Sequence, residues 1–123
     1  MKLSKNFNLR EFKCSDGSST PLEVVKNLEK LATNLQVLRE KVDSPITITS
    51  GYRSPTHNKN IGGAEKSQHI LGTAADFKVK GMRPSEVYAI IENLIKEGKI
   101  QEGGLGLYSN WIHYDIRGTK ARW

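Results

Sequence analysis

The most constraining feature of this sequence is a run of apolar residues spaced three and four positions apart. It starts just after Thr20 and Pro21 and predicts a helix with one buried stripe, which makes this helix scaffold. The stripe consists of Leu22, Val25, Leu28, Leu31, Leu35, Leu38 and Val42. Thr20 is predicted as the N-cap, Pro21 as the first helical residue and Glu23 as the partner that completes a capping box.

Shorter patterns after this helix predict strands and one further helix. Residues 46–50 alternate β-branched residues and predict a strand, and residues 73–79 predict a second one. A second helix is predicted from about residue 84 to 97, and residues 105–117 fit two strands joined by a tight turn near residues 109–110. Two main helices with a small, mostly antiparallel sheet indicate an α+β domain.

Length and composition indicate one ordinary globular domain. The 123 residues are 37% apolar and 26% charged, which is typical of a folded rather than a disordered chain. We therefore expect a single domain over residues 1–123, in which residues 1–19 form an irregular lead-in. No apolar run approaches the ~18 residues that span a membrane, and the first residues lack a secretory signal. The expectation is a protein made in the cytoplasm and not inserted in a membrane.

The charge and the cysteine content limit the kinds of partner and of cysteine-based site that the chain can have. The net charge of +6 favours a polyanion, either nucleic acid or an anionic bacterial cell wall. The charge is spread along the chain and no motif that reads nucleic acid is present, so no nucleic acid partner is expected. The alternative, a nucleic-acid-binding protein, predicts steeply salt-dependent DNA binding. Cys14 is the only cysteine, which excludes an internal disulfide and a site built from several cysteines. It is predicted to be a small buried residue.

The last predicted strand carries an unusual polar face. A period of two places Trp111, His113, Asp115 and Arg117 on one side and aliphatic residues on the other. The aliphatic side is predicted to face the core, so the polar side must face solvent or a cleft. Burying such groups without partners is expensive, which makes this face a candidate site.

An acidic residue in the preceding strand points to the same place. Asp76 interrupts an otherwise apolar strand, and it converges with His113 if the two strands are neighbours in the sheet. Gly72 would let the chain turn so that His69 joins them. Two imidazoles and one carboxylate are the ligand set of an open catalytic zinc site. Taken alone, His69 and Asp76 fit a structural hydrogen-bonded pair at least as well.

The residues around this trio resemble a known family. The motif of that family is matched by Ser67, His69, Gly72, Ala74 and Asp76, and its later strand histidine by His113. Its arginine loop is matched at residues 50–54, and residues 58–64, 103–108 and 111–117 continue the likeness. The sequence is similar to the zinc D-alanyl-D-alanine carboxypeptidases and L-alanyl-D-glutamate endopeptidases of the Hedgehog/DD-peptidase fold, in their small phage and bacterial branch.

The resemblance covers about residues 7–123 and implies a metal and a reaction. His69, Asp76 and His113 would bind Zn²⁺, which polarises a scissile carbonyl and activates water near neutral pH. The implied activity is a zinc metallopeptidase that cleaves peptidoglycan stem peptides, as a DD-carboxypeptidase or an endopeptidase.

The resemblance also implies residues that contact the substrate. Arg53 would hold a substrate carboxylate or stabilise the developing oxyanion, since a guanidinium fork suits both. Ser67 and Gln68 would line the pocket. Trp111 is equally consistent with a pocket wall and with a cover for the sheet.

One position departs from the family. Many members carry a catalytic Glu or Asp three residues before the last histidine ligand, and this chain has Asn110 there. Asp115 is the nearest substitute as the base, on the same strand face as His113; alternatively it orients a histidine ligand. Glu65 and His57 are lesser candidates for proton transfer.

Two functions therefore stay open on the sequence. The first is a monomeric zinc peptidase of peptidoglycan, with a phage or prophage lysis enzyme that reaches the cell wall after release as its suggested setting. The second is a zinc- and wall-binding module of the same fold with impaired catalysis, which the Asn110 substitution motivates.

Overall fold

Two sheets and four helices make up the computed structural model, which describes residues 1–123. In chain order they are β1 (Lys2–Ser4), β2 (Phe7–Asn8), α1 (Leu22–Val42), β3 (Ile46–Ser50), α2 (Pro55–Asn60), α3 (Gln68–Leu71), β4 (Ala74–Val79), α4 (Pro84–Lys96), β5 (Gly104–Leu107), β6 (Ile112–Asp115) and β7 (Ala121–Arg122). A short 3-10 helix, Leu9–Phe12, follows β2. None of the four helices is long and apolar enough to cross a membrane.

The main sheet has the strand order β3-β4-β6-β5-β7. All its pairs are antiparallel except β5 with β7, and β1 pairs with β2 in a separate two-stranded sheet. The predicted α+β class with a mostly antiparallel sheet is confirmed. Because β4 and β6 are central neighbours, polar residues on them meet in the middle of the sheet.

The core lies between the two long helices and the sheet. The apolar stripe of α1 is buried except at its ends, where Leu22 is 72% exposed and Val42 half-buried. Helix α4 buries Val87, Ile91 and Leu94 in the same core. The sheet contributes large side chains that are fully buried, among them Phe77, Leu105, Ile112 and Tyr114. Their burial leaves the opposite face of β4 and β6 free to carry polar groups.

The start of α1 differs from the prediction. The helix begins at Leu22, and its N-cap is Pro21, which has no side chain able to bond the first turn. The predicted capping box with Thr20 and Glu23 is therefore wrong. The hydroxyl Oγ1 of Thr20 is instead buried without a hydrogen-bond partner.

The N-terminal segment is more regular than the expected lead-in. Its hairpin of β1 and β2 leads into the 3-10 helix, where Asn8 and Glu11 form a reciprocal capping box. Phe12 is fully buried, and its carbonyl accepts a hydrogen bond from the backbone N–H of Tyr52 at 2.8 Å. A side chain at Gly51 would meet the Phe12 backbone at 2.6 Å. This segment thus supports the loop that follows β3.

Candidate active site

The strand register brings the predicted acidic residue and histidine face to face. Asp76 on β4 is the direct cross-strand partner of His113 on β6. His69 comes from the short helix α3, whose C-cap is Gly72 with φ +76°, a left-handed conformation that suits glycine. That turn directs the chain into β4, so His69 lies beside the pair. The sheet and one tight turn therefore assemble all three side chains.

One carboxylate oxygen lies between the two imidazole rings. Oδ1 of Asp76 is 3.3 Å from Nε2 of His69 and 3.0 Å from Nδ1 of His113. The ring centroids are 5.2 Å apart and the rings meet edge to face. One donor atom from each residue lies within 4.8 Å of the others, which meets the spacing needed to hold a metal ion. All three residues are largely buried, with side chains that are 4% to 12% exposed.

The far nitrogen of each ring is fixed by a buried acceptor. Nδ1 of His69 lies 2.8 Å from the carbonyl oxygen of Gly51, which can only accept a hydrogen bond. Nδ1 therefore carries the hydrogen, and Nε2 is free to act as a ligand. Nε2 of His113 lies 2.7 Å from Oδ2 of Asp115, which leaves Nδ1 facing Asp76. Both free nitrogens thus point at the same carboxylate.

Asp115 lies behind His113, away from the cleft. It is fully buried and receives two hydrogen bonds of 2.8 Å from the Arg117 guanidinium and one of 2.9 Å from the Gly104 N–H. Burial alone would raise the pKa of the Asp115 carboxyl, but bonds from Arg117 and His113 outweigh it and hold this pKa well below the usual range. A Cβ at Gly104 would collide with this carboxylate. Asp115 is placed to orient a histidine.

The trio shifts the ionisation of its own members. Burial alone would raise the pKa of Asp76, but hydrogen bonds from His113 and His69 outweigh it and hold that pKa well below its usual range. Burial acts to lower the pKa of His113, and the hydrogen bonds with Asp115 and Asp76 prevail and raise it. The site therefore attracts positive charge, which either a proton or a metal ion supplies.

A cleft of about 470 Å³ opens over the trio. Its walls are formed by Arg53, Gly63, Ala64, Lys66, Ser67, Gln68, His69, Asp76, Tyr108, His113, Arg117 and Trp123. The structure therefore places the predicted Arg53, Ser67 and Gln68 together with the three candidate ligands. The volume lies within the range of small-molecule and peptide side-chain pockets.

Arg53 reaches the trio from the loop after β3. Its Nη2 lies 3.4 Å from Oδ2 of Asp76, the oxygen that faces away from the histidines. Its Nε donates to Ser50 Oγ at 3.1 Å and its Nη1 to Asn58 Oδ1 at 3.4 Å. The side chain is 16% exposed, so the guanidinium is held in place while one edge still faces the cleft.

Trp111 does not line this cleft. Its ring stacks on Tyr108 with centroids 4.5 Å apart, and it faces a separate small cavity that it shares with Asn110. The aromatic wall of the cleft is formed by Tyr108 and Trp123, whose indole N–H donates to the Tyr108 hydroxyl at 2.8 Å. The Trp123 ring lies 4.9 Å from the His113 ring. Tyr108 belongs to a motif that matched the family, but the role of Trp123 in this wall was not predicted because its position depends on the pairing of β7 with β5.

The cleft has no acidic side chain other than Asp76. Its remaining charged residues are the cations Arg53, Lys66 and Arg117. The lesser candidates for proton transfer, Glu65 and His57, do not line it, and Nε2 of His57 is instead 3.1 Å from the hydroxyl of Ser15. The cleft is therefore suited to an anionic ligand next to a metal ion.

Comparison with known protein families gives a match over most of the chain. A family model described as Peptidase M15 matches residues 5–115. The match includes all three candidate ligands, Arg53 and Asp115.

Individual relatives share shorter stretches. The zinc D-Ala-D-Ala carboxypeptidase of Streptomyces albus G is 51% identical over 44 residues, which are 35% of this chain and 17% of that protein. The peptidoglycan L,D-endopeptidase MepK of Escherichia coli K12 is 33% identical over 86 residues, 64% of this chain and 43% of that protein. A probable MepK of Haemophilus influenzae is 33% identical over 96 residues, 72% of this chain and 48% of that protein. The chain spans less than half the length of each of these relatives.

Proposed function

The chain belongs to the peptidase M15 family, and we propose that it is a zinc metallopeptidase that cleaves the stem peptides of peptidoglycan. The observation that carries this proposal is the convergence of two imidazole nitrogens and one carboxylate oxygen at the floor of an open cleft. The names of the relatives, a zinc carboxypeptidase and peptidoglycan endopeptidases, supply the metal and the substrate class.

The donor set fits a zinc ion. Nε2 of His69, Nδ1 of His113 and Oδ1 of Asp76 would hold it, since the other nitrogen of each imidazole bonds a buried acceptor and the ligating nitrogens face the same point. A zinc ion bound there would act as a Lewis acid toward a peptide carbonyl and supply an activated water. Asp115 contributes by keeping the His113 ring in the ligating tautomer and orientation, and Arg117 keeps Asp115 ionised.

Arg53 is the residue that we assign to the substrate. Its guanidinium lies on the Asp76 side of the cleft, where it can bind a terminal carboxylate or the oxygen of a carbonyl under attack. Ser50 and Asn58 fix its position from behind, so a carboxylate that docks there finds an already oriented donor. Ser67 and Gln68 supply further polar groups on the wall.

The resemblance implies an acidic residue for proton transfer at the position of Asn110. Asn110 lies outside the cleft, and the donors around Asp115 leave that carboxylate without free access to a substrate. Tyr108 lines the cleft, and its hydroxyl oxygen accepts the Trp123 indole N–H, which leaves the O–H free to donate. We assign the proton-donor role to Tyr108 and the orienting role to Asp115.

A second candidate function is a zinc- and wall-binding module with impaired catalysis. The observation that favours it is the cleft itself, in which Asp76 is the single acidic residue. A module of this kind would bind stem peptides through Arg53 without releasing a product.

One assay separates the two functions. The zinc-loaded chain is incubated with purified peptidoglycan and with free stem peptides, and mass spectrometry follows free D-Ala and new amino termini. We expect product from the wild type, none from His113→Ala, and wild-type levels from Arg83→Ala, whose side chain is 81% exposed and outside the cleft. Saturable binding without any product in the wild type would establish the module instead. Which product forms distinguishes carboxypeptidase from endopeptidase activity.

We further propose that the substrate is met in the cell wall, where a phage or prophage lysis enzyme would act after release from the cytoplasm. The net charge of +6 supports this setting because it attracts the chain to an anionic wall. A suspension of isolated walls should lose turbidity when the zinc-loaded protein is added. We propose that the active protein is a monomer, and light scattering measures its oligomeric state. Cleavage of soluble peptides with no loss of wall turbidity would contradict the lysis role.

A further inference from the structure

A second cluster of metal-binding side chains lies outside the cleft. A thiol, a carboxylate and an imidazole, those of Cys14, Asp16 and His57, each place one donor atom within 4.8 Å of the others. The catalytic trio satisfies the same limit. Cys14 and Asp16 lie between the 3-10 helix and α1, whereas His57 lies in α2, so two distant parts of the sequence meet here.

Contacts with Ser54 hold the Cys14 sulfur in place. The sulfur is buried, and it accepts a hydrogen bond from the backbone N–H of Ser54 at 3.4 Å. It also lies 3.9 Å from the Ser54 hydroxyl oxygen, to which its S–H can donate. The position of the sulfur is therefore fixed next to Asp16 and His57.

The cluster has negative charge and no cation to balance it. Oδ1 of Asp16 accepts a hydrogen bond from the Ser18 N–H at 2.8 Å, and Oδ2 accepts one from the Ser54 hydroxyl at 2.7 Å. No lysine or arginine forms an ion pair with Asp16. A carboxylate, a thiol and an imidazole that meet without a cation have the chemistry of a metal site.

We propose that Cys14, Asp16 and His57 form a second site for Zn²⁺, distinct from the catalytic trio. Thiolate, imidazole and carboxylate are all zinc ligands, and a mixed set with one thiolate prefers zinc to the hard cations calcium and magnesium. On binding, the S–H bond of Cys14 breaks, its proton goes to solvent, and the sulfur forms the bond to zinc. Asp16 is exposed and His57 partly so, which gives solvent access for a fourth, water ligand.

The consequence of this site is to fasten the N-terminal segment to the arginine loop. Ser54, whose hydroxyl donates to Asp16 at 2.7 Å and whose N–H bonds Cys14, directly follows Arg53 in the sequence. A zinc ion here would stiffen the support of that loop. The second site would therefore act on substrate affinity through the position of Arg53 rather than on the chemistry.

Cobalt spectroscopy of the full chain tests the proposal. Cys14 is the only thiol, and the catalytic trio has none, so a near-ultraviolet thiolate-to-Co²⁺ charge-transfer band reports on the second site alone. We expect the metal-free wild type to take up two Co²⁺ ions per chain and to show this band. The variant His113→Ala should take up one ion and keep the band. Cys14→Ser should take up one ion and lose the band.

Asp16→Asn serves as the variant that keeps the fold, because this side chain is on the surface and the amide has the same shape. It should weaken the Co²⁺ affinity read from the band by about 10- to 100-fold, with an unchanged circular dichroism spectrum. Uptake of one ion per chain by the wild type without the band would overturn the second site. So would retention of two ions by Cys14→Ser.

Discussion

The two clusters of potential ligands in this chain are built from similar donors but held in different ways. In the trio of His69, Asp76 and His113, the far nitrogen of each histidine bonds a buried acceptor, the Gly51 carbonyl for His69 and Asp115 for His113. In the second cluster, Nε2 of His57 meets only the exposed hydroxyl of Ser15.

The difference shows what strand register contributes to a metal site. Asp76 and His113 are paired by the sheet, and their positions cannot drift without breaking the register of β4 and β6. The second cluster depends on an irregular segment and a six-residue helix, α2. A rigid trio with oriented rings suits a metal that must do chemistry, whereas a looser set of ligands suits a metal that only fastens two segments.

The largest effect is expected from removing a ligand of the rigid trio. His113→Ala should lower kcat/KM by about a thousandfold or more, because loss of the metal removes several kcal/mol of transition-state stabilisation. Steady-state hydrolysis of a stem peptide measures this, together with the metal content of the purified variant. Arg83→Ala is the control. If His113→Ala kept more than a tenth of the wild-type rate, the rigid trio would not be the catalytic centre.

The next effect tests the acceptor behind the ring. Asp115→Asn should weaken zinc binding at the trio by about 10- to 100-fold, since the amide no longer holds His113 and Arg117 as a carboxylate does. Competition with a chromophoric chelator measures the affinity. A general base would behave differently: the rate would fall while zinc affinity stayed at the wild-type value. Ser15→Ala, the corresponding change behind His57, should leave the trio's zinc affinity unaltered.

A smaller effect is expected on the substrate side. Arg53→Lys keeps the charge but loses the fork that bonds Ser50, Asn58 and Asp76. We expect KM to rise about tenfold, which corresponds to 1.4 kcal/mol, with a smaller change in kcat. Michaelis–Menten analysis with a peptide that ends in a free carboxylate measures it. An equal loss in kcat with unchanged KM would assign Arg53 to the transition state alone.

The smallest effect is expected from a change in pH. The pKa of His113 is raised in the metal-free protein, so a proton competes for its ligating nitrogen. Zinc affinity at the trio should therefore increase with pH, by no more than about tenfold per unit, until pH passes that raised pKa. Stability of the metal-free chain should show the opposite trend. The contribution of protonated His113 is complete below its unfolded pKa of about 6.5 and is lost as pH rises through the folded value. Chelator competition and chemical denaturation across pH measure the two trends.

His113→Ala is the reference for the stability trend, because it removes the titrating ring. A metal-free wild type whose stability did not decline more steeply with rising pH than that of His113→Ala would contradict the raised pKa. A zinc affinity that did not change with pH would contradict the competition between a proton and zinc for the ligating nitrogen of His113.

Local pattern was enough to predict the elements that carry the site. The period-two alternation of His113, Asp115 and Arg117 and the acidic break in the strand at Asp76 each indicate which side chains share a face. Trp111, predicted on the same face, lines a different cavity. The helix over residues 84–97 and the strand over 46–50 were also predicted within one residue of their bounds. The convergence of Asp76 and His113 needed one further premise, that β4 and β6 are neighbours, and the structure has them paired.

What could not be predicted depends on contacts between distant segments. The burial of Asp115 follows from the Arg117 fork and the space left by Gly104, and neither pairing has a signature in the local sequence. Strand β7 is two residues long and pairs in parallel with β5, so it is too short for a periodic pattern to predict. The position of Trp123, which follows it, could not be predicted for the same reason. At Thr20 the local pattern was misleading. The sequence fits a capping box there, but the N-cap of the helix is Pro21.

The carboxylate of Asp76 faces two ways, with Oδ1 toward the histidines and Oδ2 toward Arg53. Whatever occupies one side therefore alters the charge felt on the other. A zinc ion held at the histidines would draw electron density from Asp76 and loosen its hold on the guanidinium, which would free Arg53 for an anionic ligand. By thermodynamic reciprocity, an anion bound at Arg53 would change zinc affinity by the same factor. This one side chain would then couple metal binding to substrate binding.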